Sequence, residues 1–316
     1  MAVRALVVGS INMDLIVRCS RAPRAGETLH GIAFATAGGG KGANQAVACS
    51  RLGAETHMVG RVGGDAFGEQ LRRELAAAGV QVTGVAVEQG VATGVALIVL
   101  EEGGENRIVV VAGANGRVGE AEVEQARAMM ERVDTVLMPL EVPLAVVKAV
   151  AEGARERGVR CVLDAGAATP EAMEMGLPAL VDVISPNELE AETLTGIKVR
   201  GVEEAQAAAQ RLRGMGAREV VIKLGAQGCY WVGANGEAHV PAFSITPVDS
   251  TAAGDAFTAC LAVGLAEGRP MVEAMRRANA AGALACLKLG AQPSMPTGEE
   301  VESFLSAAER RSRVRQ

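Results

Sequence analysis

Apolar residues along this chain fall into two patterns that take turns. Residues 3–8 carry a short apolar run, Ala5-Leu6-Val7-Val8, closed by Gly9, which predicts a buried strand, and strands are likewise predicted at 56–60, 135–138, 160–163, 181–184 and 220–224. Between these runs the spacing widens to that of a helix, predicted over about 43–52, 65–78, 119–132 and 143–157. A shorter helical piece is predicted around 170–180, and another helix opens after Ser185-Pro186-Asn187-Glu188. Residues 80–87 are extended. Strands alternating with helices in this way belong to the α/β class with a mostly parallel sheet. Toward the end of the chain three helices follow one another. One runs through Phe257, Leu261 and Leu265, and the others cover 270–289 and 298–310, with Pro270 suited to a first turn and Gly290 to a C-cap. The charged tail, 309–316, carries no motif.

Two hairpins interrupt the alternation. Residues 91–100 and 106–111 flank Glu101-Glu102-Gly103-Gly104-Glu105, and 229–232 and 237–240 flank Asn235-Gly236. Pro23, Gly26 and Gly31 cut 12–37 into short extended pieces. With the first hairpin they make a small accessory sheet, so the chain is expected to divide into a large α/β body (1–11, 38–90 and 112–316) and a discontinuous β lid (12–37 and 91–111).

Composition narrows the possible partners. Of the 316 residues 49% are hydrophobic but only 2% aromatic, so the core is packed from Ala, Val, Leu and Met and few rings are free to stack on bases. A net charge of -6 with no basic block in the body of the chain argues against nucleic acid and favours a small-molecule ligand. The cysteines (19, 49, 161, 229, 260 and 286) stand singly, with no C-x-x-C pair, as thiols of a reducing, cytoplasmic compartment do. His30, His57 and His239 share no metal-ligand spacing. No apolar run approaches the ~18 residues of a membrane span, and the first strand follows Met1 with no leader-like segment, so neither membrane insertion nor secretion is expected.

Candidate chemistry concentrates in Asp249-Ser250-Thr251-Ala252-Ala253-Gly254-Asp255-Ala256-Phe257. Ala253-Gly254 puts small residues and free N–H groups at a helix start, a seat for an anion. Asp255 follows directly, as a base for a hydroxyl attacking phosphorus or simply as an acidic residue in a first helical turn. Asn12 and Asp14, two apart in extended chain, point to one side, as a clamp for neighbouring hydroxyls or as part of a turn. Gly38-Gly39-Gly40-Lys41-Gly42 fails the P-loop test, because Ala35 stands where the first glycine belongs and Gly42 where Ser or Thr should follow Lys41. It reads as a loop that admits a compact polar ligand or as a flexible turn, with Asn44 on the same helical face as Lys41. Glu141 lies just past a strand's C-terminal end, the edge where ligands of open parallel sheets gather. Asn187 and Glu190 share a helical face and could hold magnesium through water or cap their helix. Gly225-Ala226-Gln227-Gly228 makes a turn whose amides could meet a nucleotide.

Gly39-Gly40-Lys41-Gly42-Ala43-Asn44-Gln45-Ala46 and the 249–257 stretch resemble the two signatures of the PfkB carbohydrate kinases, and the resemblance runs from Gly9-Ser10-Ile11-Asn12 to Gly290-Ala291-Gln292-Pro293-Ser294. It implies a three-layer αβα sandwich with a β lid that also forms a homodimer contact, and MgATP as phosphoryl donor. Within the family the sugar-side pattern is most similar to that of the kinases that phosphorylate D-ribose. By position, the resemblance implies that Asn12, Asp14, Gly40, Lys41, Asn44 and Glu141 hold the sugar, and that Asn187, Lys223, Gly225, Ala226, Gly228 and Asn279 line the nucleotide site. Gly254 would cradle the moving phosphate and Asp255 would be the base. A potassium site is implied at Asp249, Thr251, Ala285, Lys288, Gly290 and Ser294, where a helix ending at Gly290 would leave carbonyls free. The sequence departs from the pattern at Asn279, where a histidine is expected, at Lys223 and Ala226, which replace hydroxyl residues, and at Asp164-Ala165-Gly166-Ala167, which replaces an Asn-Pro-Ala-Pro-like segment. Other acceptors implied by the family are 2-deoxyribose, fructose or a nucleoside, the last disfavoured because Phe34 is the only aromatic residue before Phe67. A non-catalytic sugar-binding relative would be expected to lack Asp255 or the Asn187/Glu190 pair.

Overall fold

The computed structural model describes residues 2–103 and 105–314. Gly104, inside the predicted 101–105 turn, and Arg315-Gln316, at the end of the tail, lie outside the described residues. The strands are β1 (Arg4–Val8), β2 (Asn12–Cys19), β3 (Ala33–Gly39), β4 (Glu55–Gly63), β5 (Gln81–Glu88), β6 (Gly94–Glu101), β7 (Asn106–Val111), β8 (Thr135–Pro139), β9 (Arg160–Asp164), β10 (Val183–Ser185), β11 (Glu219–Lys223), β12 (Cys229–Gly233) and β13 (Gly236–Val240). Nine of them form one sheet in the order β13-β12-β11-β10-β9-β8-β1-β4-β5. From β5 to β11 every neighbouring pair is parallel, and the β12–β13 hairpin adds an antiparallel edge.

Strand β1 shows why its sequence is apolar from Ala5 to Val8, after an exposed Arg4 at its entry. Ala5 and Val7 join the core on one face of the sheet, with helices Lys41–Arg51, Ala253–Ala266 and Met271–Ala285; Leu6 and Val8 join the core on the other, with helices Leu144–Arg157 and Val202–Gly214. A strand covered on both sides has no position left for a polar residue. The result is three layers, αβα.

The smaller sheet has the order β3-β2-β6-β7. Antiparallel pairing joins β3 to β2 and β6 to β7, and a parallel register running from Asn12↔Gly94 to Cys19↔Glu101 joins the two halves. That parallel pairing is what unites segments distant in sequence. β7 is exposed along its whole length.

Two expectations are corrected and one helix is added. The piece around 170–180 is two short helices, Pro170–Glu174 and Leu177–Leu180, broken at Gly176 in the left-handed region. The helix expected to reach 289 ends at Ala285. Helix Val202–Gly214 was not anticipated, because the face it buries is Ala205, Ala208, Ala209 and Leu212, whose small side chains give a weak apolar signal. The charged tail continues the last helix, Gly298–Val314. Among the described residues no helix is long and apolar enough to cross a membrane.

Candidate active site

Five parallel strands end on the same edge of the large sheet, and the residues that follow β1, β8, β9, β10 and β11 build the site there, as expected for an open parallel sheet. After β1, Ser10 Oγ donates to Glu141 Oε2 at 2.6 Å, and the Lys41 N–H donates to the same oxygen at 3.1 Å, so the carboxylate after β8 ties two loops together. Asn12 opens β2 and Asp14 follows on the same strand, both buried. Gly39 on β3 lies so close to Asp14 that a Cβ there would stand 2.3 Å from the carboxylate oxygens. Gly40 caps helix Lys41–Arg51 with φ 87°, a left-handed conformation that glycine adopts without strain. Asn12 and Glu141 line a cavity of about 470 Å³ together with Val110 of the smaller sheet.

Asp255 lies at the inner end of this cluster, in the first turn of helix Ala253–Ala266 and only 3% exposed. Asn44 Nδ2 donates to its Oδ2 at 2.9 Å and Gln45 Nε2 to its Oδ1 at 3.1 Å. Burial pushes the Asp255 carboxyl up; Lys41 pulls it back, and with Asp164 and Glu141 nearby the net position is about 6. Burial, reinforced by Glu141 and Asp255, likewise pushes Asp14 up to about 6. Lys41 is held protonated, well above the ordinary lysine range, chiefly by Asp255 and against the effect of burial. The helix begins without a side-chain cap, and its N-cap Ala252 sits in the left-handed region at φ 59°. The other non-glycine residue with positive φ among those described, Ala167, lines the cavity shared by Asn12 and Glu141. Both strained positions border the site.

On the far side of Gly254 lies a second cavity, of about 530 Å³, lined by Lys223, Gly225, Ala226, Gly228, Gly254 and Asn279 with apolar walls from Phe243, Ile245 and Pro247. Five of the residues expected at a nucleotide therefore share one cavity with Gly254, expected at the moving phosphate. Asn187 does not line it. Its Oδ1 accepts from the Glu190 N–H at 2.9 Å and the Glu190 carboxylate accepts from the Asn187 N–H at 2.8 Å, a reciprocal cap on helix Glu188–Thr195. The pair caps its helix, and burial pushes the Glu190 carboxyl up. Asn279 Nδ2 donates to the Val240 and Pro241 carbonyls at 3.0 and 3.2 Å, fastening the chain after β13 to the cavity wall.

Of the residues expected at a monovalent cation, Asp249, Thr251 and Gly290 meet. Asp249 Oδ1 accepts from the Thr251 N–H and hydroxyl at 2.9 and 2.6 Å, and its Oδ2 accepts from the Gly290 N–H at 2.9 Å. Because the helix stops at Ala285, the carbonyls expected from a helix end at Gly290 belong instead to the turn after it: the Ala285 carbonyl accepts from the Lys288 N–H and the Cys286 carbonyl from Val248 and Asp249. Ser294 is buried, its hydroxyl given to the Ala291 carbonyl at 2.8 Å. Lys288 Nζ turns outward to Glu300.

Several residues of the site had no part in the expectations. Asn115 Nδ2 donates to Asn12 Oδ1 at 2.7 Å while its Oδ1 accepts from the Ile11 N–H at 2.9 Å, which sets the clamp on β2. Gln45, next to Asn44 on helix Lys41–Arg51, holds the second oxygen of Asp255. Asp164, at the end of β9, accepts from Lys223 Nζ at 2.9 Å and from Thr258 Oγ1 at 2.6 Å. Lys41 passes over Gly166, where a Cβ would stand 2.2 Å from its Cε, so the 164–167 segment has a physical account in the charges and space it provides.

A family model described as pfkB family carbohydrate kinase matches residues 3–298. The chain is 38% identical over 303 residues to the ribokinase of Haemophilus influenzae, covering 96% of this chain and 98% of that protein. It is 33% identical over 303 residues to the deoxyribokinase of Salmonella typhimurium, covering 96% and 99%. Its fold is similar to that of Arabidopsis thaliana ribokinase complexed with ribose and ATP, with a TM-score of 0.88, 34% identity and coverage of 96% of this chain and 99% of that one.

Proposed function

Since the chain belongs to the PfkB family of carbohydrate kinases, we propose that it transfers the terminal phosphoryl group of ATP to the 5-hydroxyl of D-ribose, giving D-ribose 5-phosphate and ADP. The observation that carries this reading is the position of Asp255 between a hydroxyl-binding cluster (Asn12, Asp14, Lys41, Asn44, Glu141) and a cavity closed by the uncapped helix N-terminus at Gly254. Asp255 takes the proton of the sugar hydroxyl as the new O–P bond forms and the bond from phosphorus to the bridging oxygen of ADP breaks. The N–H groups at Gly254 face the charge that develops on the phosphoryl oxygens. Lys41, held protonated, balances the carboxylates around the sugar.

Magnesium would supply charge neutralisation at the phosphates, and Asn187 and Glu190 would hold it through water, since each Glu190 oxygen spends one lone pair on Asn187 and keeps another free. Potassium is assigned to the turn around Asp249, whose hydrogen bonds outweigh burial and keep its carboxyl below the usual range, so it stays charged. The exposed apolar strand β7, with Val109 62% exposed, supports a homodimer joined through the smaller sheet.

A second acceptor is favoured by one observation, the similarity to a deoxyribokinase at nearly the same coverage as the ribokinase. Steady-state kinetics at saturating MgATP with ribose, 2-deoxyribose, fructose, adenosine and ribose 5-phosphate separate the readings. Ribose is expected to have the highest kcat/KM and 2-deoxyribose the next, because a hydroxyl-binding group left unmet costs about 1–3 kcal/mol. Ribose 5-phosphate brings a dianion beside Asp14 and Glu141 and is expected to be poor. Adenosine or ribose 5-phosphate as the best substrate would overturn the reading.

A further inference from the structure

Two departures from the family pattern, Asp164 and Lys223, touch each other. Their ion pair is 2.9 Å long, with side-chain exposures of 1% and 11%, and Thr258 Oγ1 and the Gly166 N–H complete the shell of Asp164. A buried ion pair is rarely the most stable filling for such a site, since an uncharged pair of similar volume does as well or better. The charge at this position therefore calls for a use. Lys223 spends a single N–H on Asp164 among the described contacts and lines the larger cavity, leaving two donors for a ligand there. Its Nζ is also the nearest atom to a Cβ built on Gly254, at 3.8 Å. Cavity, helix N-terminus and ammonium group thus converge on one point.

We propose that Lys223 is a catalytic residue of the phosphoryl transfer, donating to the oxygens of the terminal phosphoryl group of the nucleotide, and that Asp164 and Thr258 are positioning residues that aim it. This rests on the kinase reading above. Burial works against ionisation of Asp164, yet Lys223 and Lys41 hold its carboxyl down at about 2, so the orienting charge is present throughout the working pH range.

The test uses the neutral pair Asp164→Asn/Lys223→Met, which avoids stranding a buried charge, checked for parental folding by denaturation. Calorimetry with MgATP and with MgADP, without sugar, reads whether the terminal phosphoryl group is the partner. MgATP binding is expected to weaken about ten-fold and MgADP binding to stay within about three-fold. Turnover is expected to fall on the order of 10²-fold, as for loss of one oxyanion donor, with KM for the sugar unchanged. Asp164→Asn alone is expected to lower kcat with sugar KM unchanged, and to cost nothing further when added to Lys223→Met. An unchanged ATP-to-ADP affinity ratio, or equal losses for both nucleotides, would overturn the proposal. Because the calorimetry needs no acceptor, a parent protein that phosphorylates no sugar sinks the acceptor reading while the affinity ratio still decides the role of Lys223.

Discussion

Replacing Asp255 by asparagine should weaken the enzyme and strengthen the fold. Moving a carboxyl from 3.8 in the unfolded chain to about 6 in the folded one, at ~1.4 kcal/mol for each pH unit, makes the ionised form cost about 3 kcal/mol of folding free energy. The sign follows from the direction: the folded state binds this proton more tightly, so the cost is absent below about 4, grows as pH rises through 6, and is fully present at pH 7.5. Asparagine removes the charge without leaving donors facing each other, because the carbonyl oxygens of Asn44 and Gln45 are buried without partners and either amide can turn to accept the new N–H. Lys41 keeps Asp164, Glu141 and Glu190 around it. Denaturant titrations of parent and Asp255→Asn at pH 7.5 and 4.5 should show a gain of up to about 3 kcal/mol at the higher pH that shrinks at the lower. Turnover should fall on the order of 10²- to 10⁴-fold. The parent's kcat/KM should itself decline about ten-fold for each pH unit below about 6. A variant that is less stable at pH 7.5, or one that turns over at the parental rate, would refute the reasoning.

Four further outcomes are expected. Gly39→Ala places a methyl 2.3 Å from the Asp14 carboxylate and must displace it by about 1 Å, so kcat/KM for the sugar should fall about 10²-fold while MgATP binding measured by calorimetry is unchanged. Asn115→Leu strands Asn12 Oδ1 and the Ile11 N–H, and should cost about 2–3 kcal/mol by denaturation and raise sugar KM; a neutral effect on both would remove Asn115 from the site. Potassium should raise activity several-fold over sodium or a bulky organic cation, and equal rates in all three after exhaustive dialysis would count against the Asp249 turn as its site. Val109→Asp on the exposed strand β7 should shift the mass seen by light scattering from dimer to monomer, with an unchanged mass arguing for another interface.

Much of the architecture is a consequence of short-range pattern. The apolar run of β1 needs cover on both faces whatever surrounds it, and the strand-helix alternation repeats that demand along the chain, so the parallel α/β class and the strand edge carrying Gly9, Glu141 and Gly225 are legible residue by residue. Where the pattern is faint, as in the alanine face of Val202–Gly214, the element escapes notice. Chemistry was legible as residue types in suggestive places, but not as partners. Asn44 and Gln45 reach Asp255 across more than two hundred residues, and Asn187 and Glu190 turn out to satisfy each other. Asp164 and Lys223, two separate oddities along the chain, become one ion pair only when β9 and β11 flank β10 in the same sheet. Hydrophobic periodicity is set by neighbours a few residues away, whereas a carboxylate's protonation depends on how much water is excluded and which charges are brought near, and both are settled only when distant segments close over it.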